Sequence, residues 1–353
     1  MHNKTLSIIF ILFVTVAFAV TGIAKDRNKV ELRKNDSGKC VDVLVDGKLF
    51  TSYIYSDTIP VLRKPVLYPV VAASGVTVTR GYPLQPRQGE RVDHPHHIGM
   101  WFNYGNVNGL DFWNNSDAIP AERADSMGTI KPTGITAIKT KNGNGELDVT
   151  ADWVNSKGGV LLKEATKYYF HAEDGARYID RVTTLTAANG DVSLADNKEG
   201  VFGMRVARQL ELPSKEAVVL SDAHGNKTEV PVMDNTGVTG SYLNSEGITD
   251  NDVWGKRARW TALSGTIDGK DVTIIIFDNP KNVGYPTYWH ARDYGLFAAN
   301  PLGQSIFSNG KVALNYSLKA GKSVTFNYRV LILDGKPDKA KIEVEYLKFA
   351  KKK

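Results

Sequence analysis

The segment Asp93–His97 carries three of the seven histidines of the chain, at His94, His96 and His97. Imidazole titrates near neutral pH and is also the commonest metal ligand, so this segment is a candidate for acid–base chemistry or ligand binding. Pro95 disfavours a central strand and pushes His94 towards an extended conformation. We therefore predict a loop that enters a strand. If the segment were itself a strand, alternation would place His94 and His96 on one face and His97 on the other.

Within this segment we expect His96 and His97 to be catalytic, as an acid or a base. His94 is expected to shape the turn and to contact the substrate. The structural alternative is that all three imidazoles are hydrogen-bonded fixtures of a tight turn.

A second candidate segment, Tyr285–Phe297, combines aromatic rings with a histidine, an arginine and a carboxylate. His290 has the chemistry of a catalytic acid or base. Arg292 can clamp a carboxylate or a pair of hydroxyls with its two parallel N–H groups. The alternative is an aromatic corner in which Arg292 pairs with Asp293.

Glu199 is the third candidate. It precedes Gly200 at the mouth of an apolar strand, where a carboxylate can project into a cleft and a glycine permits close approach of a ligand. We predict that Glu199 acts as a general base or a nucleophile. The alternative is a surface ion pair with Lys198 or Arg205.

Aromatic side chains near these segments predict a sugar-sized ligand, because indole faces stack on sugar rings and cap apolar pockets. We expect Trp101, Trp113 and Trp289 to offer such platforms. The full set of predicted substrate contacts is His94, Trp101, Asp111, Trp113, Trp289, Arg292 and Tyr294.

Metal binding is a weaker interpretation of the same histidines. Two of them could be ligands, and His290 or Glu199 could complete the set. However, no known zinc spacing such as His-Glu-x-x-His is present, and a phosphate-binding glycine loop and a Gly-x-Ser-x-Gly elbow are also missing. We predict no bound metal and no cofactor, with a metal-dependent enzyme as an alternative.

Composition and the N-terminus restrict partners and location. The 353 residues include 44 Lys and Arg against 38 Asp and Glu, a net charge of +6, but no basic patch interleaved with aromatics predicts nucleic-acid binding. Lys4, the apolar run Leu6–Ala19 and the small residues before Lys25 are typical of a secretory signal peptide, residues 1–24. We expect a periplasmic or secreted protein with no membrane span after signal removal. The sequence does not predict the oligomeric state.

Strand patterns dominate the remaining chain. Val41–Phe50 alternates around Asp46-Gly47, a strong hairpin signal, and similar runs recur between turn clusters along a chain with 32 glycines. A helix is predicted only near the end, from about Pro337 to Ala350. The sequence predicts an all-β protein: one large antiparallel β-sandwich domain over residues 25–353, with a short C-terminal helix.

Several motifs resemble the PmoA-like family of exported bacterial proteins, which carries a methane-oxygenase label. The resemblance covers roughly Tyr68 to Leu333, with Ile98 as a mild departure. Its motifs are Asp93–His97 with Trp101-Phe102, Asn108-Gly109 with Asp111-Phe112-Trp113, Lys198-Glu199-Gly200 with Arg205-Val206-Ala207, and His290–Gly295 with Asn300-Pro301.

The pattern is more distantly similar to the galactose-mutarotase-like supersandwich proteins, which include sugar epimerases, lyases and glycosidase domains. That similarity implies a histidine acid and a glutamate base around a sugar ring. His96 or His97, together with His290 and Glu199, would supply such a set.

These observations together favour an exported carbohydrate-active enzyme of the hydrolase, lyase or epimerase type, with a carbohydrate as substrate. Hydrolysis would require a second carboxylate about 5–9.5 Å from Glu199, for which Asp93, Asp111 and Asp293 are candidates. The alternatives are a non-catalytic carbohydrate-binding protein and the metal-dependent enzyme.

Overall fold

The computed structural model describes residues 28–214 and 234–351, and residues 222, 224, 226 and 228 between them. The predicted signal peptide, residues 1–24, lies outside the described residues. The strands of the described part are, in chain order, β1 (Val30–Asn35), β2 (Cys40–Val45), β3 (Lys48–Ile54), β4 (Val66–Val70), β5 (Met100–Tyr104), β6 (Thr129–Lys141), β7 (Asn144–Val154), β8 (Val160–Glu173), β9 (Ala176–Ala187), β10 (Val192–Leu194), β11 (Gly200–Arg205), β12 (Ser241–Asn244), β13 (Trp260–Ile267), β14 (Lys270–Asp278), β15 (Tyr288–Ala291), β16 (Leu296–Asn300), β17 (Tyr316–Leu318) and β18 (Ser323–Asp334).

Two eight-stranded antiparallel sheets contain all but two of these strands. The first sheet has the order β1-β2-β3-β4-β5-β11-β16-β15, and the second has the order β12-β13-β14-β18-β9-β8-β7-β6. The remaining pair, β10 and β17, forms a small antiparallel ribbon. The prediction of a large antiparallel β-sandwich is confirmed.

One apolar core joins the inner faces of the two sheets. Phe102 of β5 packs against Phe326 of β18 with ring centroids 5.6 Å apart. Phe202 of β11 stacks on Tyr328 of β18 at 5.0 Å. Because alternate residues of each strand face this core, the residues between them face outwards.

The hairpin that the sequence predicts at Asp46-Gly47 is present. Asp46 and Gly47 join β2 to β3 with φ angles of 51° and 78°, the left-handed pair that a two-residue type I′ turn requires.

The helical segments are short. In the described part they are the 3₁₀ turns Ala121–Ser126, Arg208–Leu210 and Asp250–Val253 and the α-helices α1 (Gln304–Phe307) and α2 (Lys339–Ala350). The Asp338 carboxylate caps α2 by accepting a hydrogen bond from Lys341 N at 2.8 Å.

Helix α2 covers the outer face of the second sheet, where Tyr346 and Phe349 pack on Phe277 of β14. The predicted C-terminal helix is confirmed. No helix of the described residues is long and apolar enough to cross a membrane.

Candidate functional site

The outer face of the first sheet brings most of the predicted site residues together. A row of partners crosses four adjacent strands, from Trp101 on β5 through Gly203 on β11 and Ala298 on β16 to His290 on β15. Trp289 is the exception: it neighbours His290 on the same strand, so it points to the opposite face and into the core.

The His94–His97 segment is a tight turn and not the start of a strand. His97 N donates to the His94 carbonyl oxygen at 3.0 Å, with Pro95 at the second position of the turn. His94 has a φ of 46°, so the prediction of an extended His94 was wrong. The three rings lie together, because the His97 ring centroid is 4.9 Å from that of His94 and 4.3 Å from that of His96.

Two buried arginines hold this turn in place. Asp93 Oδ1 accepts hydrogen bonds from Arg80 Nη1 at 2.8 Å and from Arg205 Nη2 at 2.9 Å. Arg80 also donates to the carbonyl oxygens of Asp93, His94 and His97, at 2.9, 2.9 and 3.1 Å. The alternative ion pair of Glu199 with Arg205 is therefore not formed, since Arg205 binds Asp93 instead.

The charge on Asp93 is strongly favoured. Burial alone would raise the pKa of Asp93, but the hydrogen bond with His94 and the guanidiniums of Arg205 and Arg80 outweigh it and hold that pKa well below its usual range. Burial lowers the pKa of Arg80 to about 9. Asp93 is thus an ionised anchor for the turn.

His96 and His97 are buried and neutral. Burial lowers the pKa of each imidazole well below its usual value, and nearby positive charges act in the same direction. Arg205 Nη1 lies 3.2 Å from His97 Nδ1, and because a guanidinium only donates, the ring proton of His97 must lie on Nε2. Such imidazoles fit a positioning role better than the predicted acid–base role.

Four nearly parallel rings connect the buried and exposed sides of the site. Trp101, His97, His94 and Tyr294 follow one another with centroid separations of 5.1, 4.9 and 5.6 Å and interplanar angles of 11°, 3° and 7°. The His94 side chain, at 42% exposed, is the solvent-accessible imidazole of the turn.

The predicted tryptophan platforms have no exposed ring face. Trp101, Trp113 and Trp289 are at most 1% exposed, and Trp289 Nε1 donates to the Ala258 carbonyl oxygen at 3.0 Å inside the core. Their burial contradicts the predicted stacking role, because a sugar needs a free indole face. Trp101 and Trp113 pack edge to face at 5.3 Å beneath the histidine turn and support it.

Trp254 is the exposed indole that the sequence analysis missed. It is 37% exposed, whereas the other five tryptophans are buried. The Arg292 guanidinium lies 5.8 Å from its ring centroid, and Phe307 packs edge-on at 5.6 Å. Its polar neighbours Asn251 and Asp252 were the available signal, because an indole outside an apolar run has few apolar partners to bury it.

Glu199 and His290 form the most polar pair of the site. Glu199 Oε2 lies 3.6 Å from His290 Nδ1, and Glu199 Oε1 lies 3.3 Å from Lys198 Nζ, so the predicted Lys198 ion pair is present. His290 Nδ1 donates to the Lys198 carbonyl oxygen at 3.0 Å, since a carbonyl can only accept. This bond leaves Nε2 as the unprotonated ring nitrogen.

Burial shifts the pKa values of this pair in opposite directions. It raises the pKa of Glu199, which Lys198 only partly offsets, and it lowers the pKa of His290 to about 3. The Glu199 side chain keeps 17% of its surface exposed. Glu199 is thus a carboxyl group with a raised pKa and access to solvent, as a general acid or base requires.

Backbone geometry fixes the position of Glu199. The Asn300 side chain donates to the carbonyl oxygens of Asn197 and Lys198 at 2.9 and 2.8 Å. Gly200 has a φ of 154°, and a Cβ there would lie 2.4 Å from Tyr104 Cδ2. Only glycine fits at the entry to β11, because the Tyr104 ring, and not a ligand as predicted, occupies the space that a side chain would need.

Arg292 and Tyr294 lie at the exposed rim. The Arg292 guanidinium is 5.5 Å from the Tyr294 ring centroid, and Arg205 lies 4.8 Å from the same ring. The alternative pairing of Arg292 with Asp293 is not formed, and Arg292 makes no ion pair with any described residue. Its N–H groups are therefore available to a ligand.

Asp111 has a local role. Its Oδ1 accepts from Trp113 N and Asn114 N at 2.8 and 2.9 Å, and its Oδ2 accepts from Asn114 Nδ2 at 2.7 Å. Both oxygens therefore hold the turn that carries Trp113. Within the described ranges, no group of three or more His, Cys, Asp or Glu side chains is arranged to hold a metal ion.

Fold and site together define an antiparallel β-sandwich protein with a glutamate–histidine site on the outer face of one sheet. The chain belongs to the family of unknown function DUF6807, whose model matches residues 40–346. These comparisons give no support for the PmoA-like family. No curated protein matches the chain.

Solved structures similar to the chain include sugar-related proteins of low identity. A GH36 alpha-galactosidase from Geobacillus stearothermophilus has 10% identity and a TM-score of 0.41, with 86% of this chain and 41% of that chain covered. A galactose mutarotase-like protein from Clostridium acetobutylicum has 11% identity and a TM-score of 0.36, with 87% and 99% covered. A galactose 1-epimerase from Lactobacillus acidophilus has 10% identity and a TM-score of 0.38, with 87% and 99% covered. The chain thus spans about two fifths of the alpha-galactosidase.

Proposed function

We propose that this protein is a carbohydrate-active enzyme whose site lies on the outer face of the first sheet, around Glu199. The observation that carries the proposal is the arrangement of Glu199 and His290 below an aromatic and cationic rim. Phe307 packs against both His290 and Trp254, at 6.0 and 5.6 Å, so the glutamate–histidine pair and the exposed indole belong to one surface.

The rim has the chemistry that a sugar requires. Sugars present flat apolar faces and many hydroxyl groups, which aromatic rings and fixed polar groups bind together. Trp254, Tyr294 and His94 supply rings with exposed surface, and Arg292 supplies N–H donors free of an ion pair. We assign Trp254 the platform role first expected of the buried tryptophans.

Proton transfer by Glu199 is the proposed chemistry. Burial raises its pKa, which is the direction that suits a carboxyl group acting as a general acid or base. His290 stays neutral, because burial lowers its pKa to about 3, and its Nε2 can accept a hydrogen bond from a sugar hydroxyl. Glu199 is the catalytic residue and His290 orients the substrate.

The other predicted carboxylates are engaged elsewhere. Asp93 binds two arginines, Asp111 binds its own turn, and the exposed Asp293 accepts from Tyr294 N at 3.0 Å. Hydrolysis with two carboxylates needs a second free carboxyl group at a defined distance. Epimerisation or elimination with one carboxylate therefore fits the site better than hydrolysis.

The Glu199→Gln variant tests this proposal. Purified protein is incubated with oligosaccharides from plant and host glycans, and conversion is followed by NMR of the sugar signals. The rate is expected to fall by about 10²–10⁴-fold in the variant, the usual contribution of a general acid or base. Glu122→Gln, at an exposed position that contributes no contact to the proposed site, is the matched control and should keep the full rate. Full activity of Glu199→Gln on a sugar that the wild type converts would refute the proposal.

A non-catalytic carbohydrate-binding protein is the second candidate. It is favoured by the neutral, buried state of His96 and His97, because a binding site needs no imidazole that titrates, whereas the acid–base role predicted for these two residues does. The two functions differ in one outcome: a binder would hold a sugar with equal affinity in wild type and Glu199→Gln and would release no product.

We further propose that the protein is exported, with cleavage near residue 24. The apolar run Leu6–Ala19 supports this proposal. N-terminal sequencing of the protein from the periplasm or the medium tests it. A mature protein that starts at residue 1 and stays in the cytoplasm would contradict export.

A further inference from the structure

A cleft of about 740 Å³ opens at the side of the sandwich, away from Glu199 and His290. It lies between the segment that joins β3 to β4 and the first half of β6. Its volume falls in the range of small-molecule sites, about 300–1,000 Å³. Neither Glu199 nor His290 lines it, so it is a second site.

Basic residues predominate in this cleft. Its lining contains five basic and two acidic side chains, namely Lys34, Lys39, Arg63, Lys64 and Lys131 against Asp36 and Asp57. Both acids are already paired, because Asp36 lies 2.6 Å from Lys34 and Asp57 contacts Lys39. Arg63 and Lys131 are left without a carboxylate within ion-pair distance among the described residues. Lys64 also has none, but burial lowers its pKa to about 7, so it adds only part of a charge at neutral pH. A site with this surplus attracts anions.

The cations are held at different depths. Arg63 is half-buried, and its backbone is fixed because Ile130 N donates to the Arg63 carbonyl oxygen at 2.9 Å. Lys131 is exposed on β6. Lys64 is 5% exposed, and its Nζ donates to the His96 carbonyl oxygen at 2.8 Å. Lys64 thus joins the cleft to the histidine turn, and Arg63 and Lys131 are the cations free to bind a ligand.

The neutral part of the lining suits a sugar. Strand β6 is the edge of the second sheet, so beyond Ile130, whose N–H donates to the Arg63 carbonyl oxygen, the outer side of its backbone faces no partner strand of that sheet. Thr133 adds a hydroxyl to the lining of this edge. Tyr55, half-buried and stacked on Tyr53 at 5.9 Å, adds an aromatic ring. Hydroxyl groups and an aromatic ring beside cations are what an acidic sugar unit requires.

We propose that this cleft binds an acidic saccharide, through a carboxylate or sulfate group held by Arg63 and Lys131. The choice of a saccharide rests on the proposed function, whereas the preference for an anion rests on the cleft alone. Arg63 would bind the acidic group with two parallel N–H bonds, and Lys131 would add a point charge at the cleft mouth.

Calorimetric titration of the full chain tests the proposal with three probes: a galacturonic acid trimer, a sulfated galactose disaccharide and a neutral galactose trimer. We expect at least tenfold tighter binding of an acidic probe than of the neutral one, with affinity that falls as salt rises. The first two probes decide between carboxylate and sulfate.

Single variants locate the binding. Arg63→Gln and Lys131→Gln should each weaken binding of the acidic probe by about tenfold, as loss of a charge-assisted contact does. Arg123→Gln and Lys322→Gln, at exposed positions outside the cleft, are the matched controls and should leave it unchanged. Unchanged thermal unfolding of Lys131→Gln would exclude a folding defect.

Failure of this inference can be told apart from failure of the proposed function. If no acidic probe binds, the inference is overturned whatever Glu199 does. If an acidic probe binds but only Glu199→Gln weakens it, the ligand occupies the sheet-face site, and the inference fails while the proposed function stands. If Arg63→Gln and Lys131→Gln abolish binding of the acidic probe, and Glu199→Gln changes neither binding nor conversion of any sugar, the cleft is supported as a binding site and the proposed function fails.

Discussion

Glu199 and His290 lie 3.6 Å apart, yet burial moves their pKa values in opposite directions. Burial disfavours whichever form carries a charge, so it keeps the glutamate protonated to a higher pH and the histidine neutral to a lower one. The same effect keeps His96 and His97 neutral. Of the titratable groups predicted to be catalytic, Glu199 is therefore the one whose pKa burial moves towards neutral pH and not away from it.

The raised pKa of Glu199 predicts a pH-dependent gain of stability in Glu199→Gln. Its folded pKa exceeds its unfolded pKa, so its contribution to stability is present at low pH and is lost as pH rises through the folded pKa. The neutral amide has no such loss. We expect a melting temperature above that of the wild type at pH 8 and a smaller difference at pH 4, measured by calorimetry. An equal difference at both pH values would contradict this explanation.

Asp93 differs from Glu199 because its pKa is lowered, and its ionised carboxylate anchors the histidine turn. Asp93→Asn removes the carboxylate that Arg80 and Arg205 share and leaves two buried guanidiniums without a counter-charge. We expect a loss of about 3 kcal/mol in the free energy of unfolding, near the lower end for breaking a buried ion pair, because Asp93 keeps 19% of its side chain exposed. Urea unfolding measures this loss. Asp117→Asn, at an exposed position, is the control, and an equal effect of the two variants would disprove the anchor role.

At the scale of elements, the alternation of side chains between the two faces of a strand decides which predicted residues lie together at the site. On β15 it places His290 on the outer face and Trp289 in the core. On β11, Gly203 occupies a position whose side chain would point to the outer face, where the site lies. A Cβ there would lie 3.1 Å from Trp101 Cζ2 and 3.2 Å from Trp113 Cη2, so the glycine makes room for the indoles under the histidine turn.

Gly203→Val should therefore destabilise the protein by overpacking. We expect a loss of about 1–3 kcal/mol in the free energy of unfolding, because the indoles must shift to admit the side chain. Chemical unfolding followed by tryptophan fluorescence measures it. Gly134→Val on β6 is the control, since a Cβ there meets only Thr150 Oγ1 at 3.5 Å. A stability loss equal to that of the control would show that Gly203 is not needed for the packing.

At the scale of the whole molecule, the two large sheets share one core. The buried cluster that contains Val30 of β1 also contains Trp153 of β7 and Ile332 of β18, so neither sheet buries its inner face without the other. Apolar burial is the main favourable contribution to folding.

This shared core predicts one cooperative unfolding transition for residues 25–353. Calorimetric and van't Hoff enthalpies should agree, and near-UV and far-UV circular dichroism should change at the same temperature. Two resolved transitions would show that the sheets belong to separate domains and would contradict the single-domain prediction for residues 25–353.

The sequence alone determined the features that depend on neighbouring residues. Alternation predicted the antiparallel strands, and Asp46-Gly47 predicted the first hairpin. The helix predicted from about Pro337 to Ala350 is present as α2. The sequence also identified the three segments that carry His94, Glu199 and His290. These features follow from local backbone preferences and from the period of the side chains, and both depend on only a few consecutive residues.

Only the tertiary structure decided what those residues can do. Arg80 and Arg205 reach Asp93 from 13 and 112 positions away, and these contacts hold the histidine turn in place. Long-range packing also buried Trp101 and left Trp254 exposed. Burial and distant charges determine protonation and access, and both depend on chain segments that meet only in the folded state.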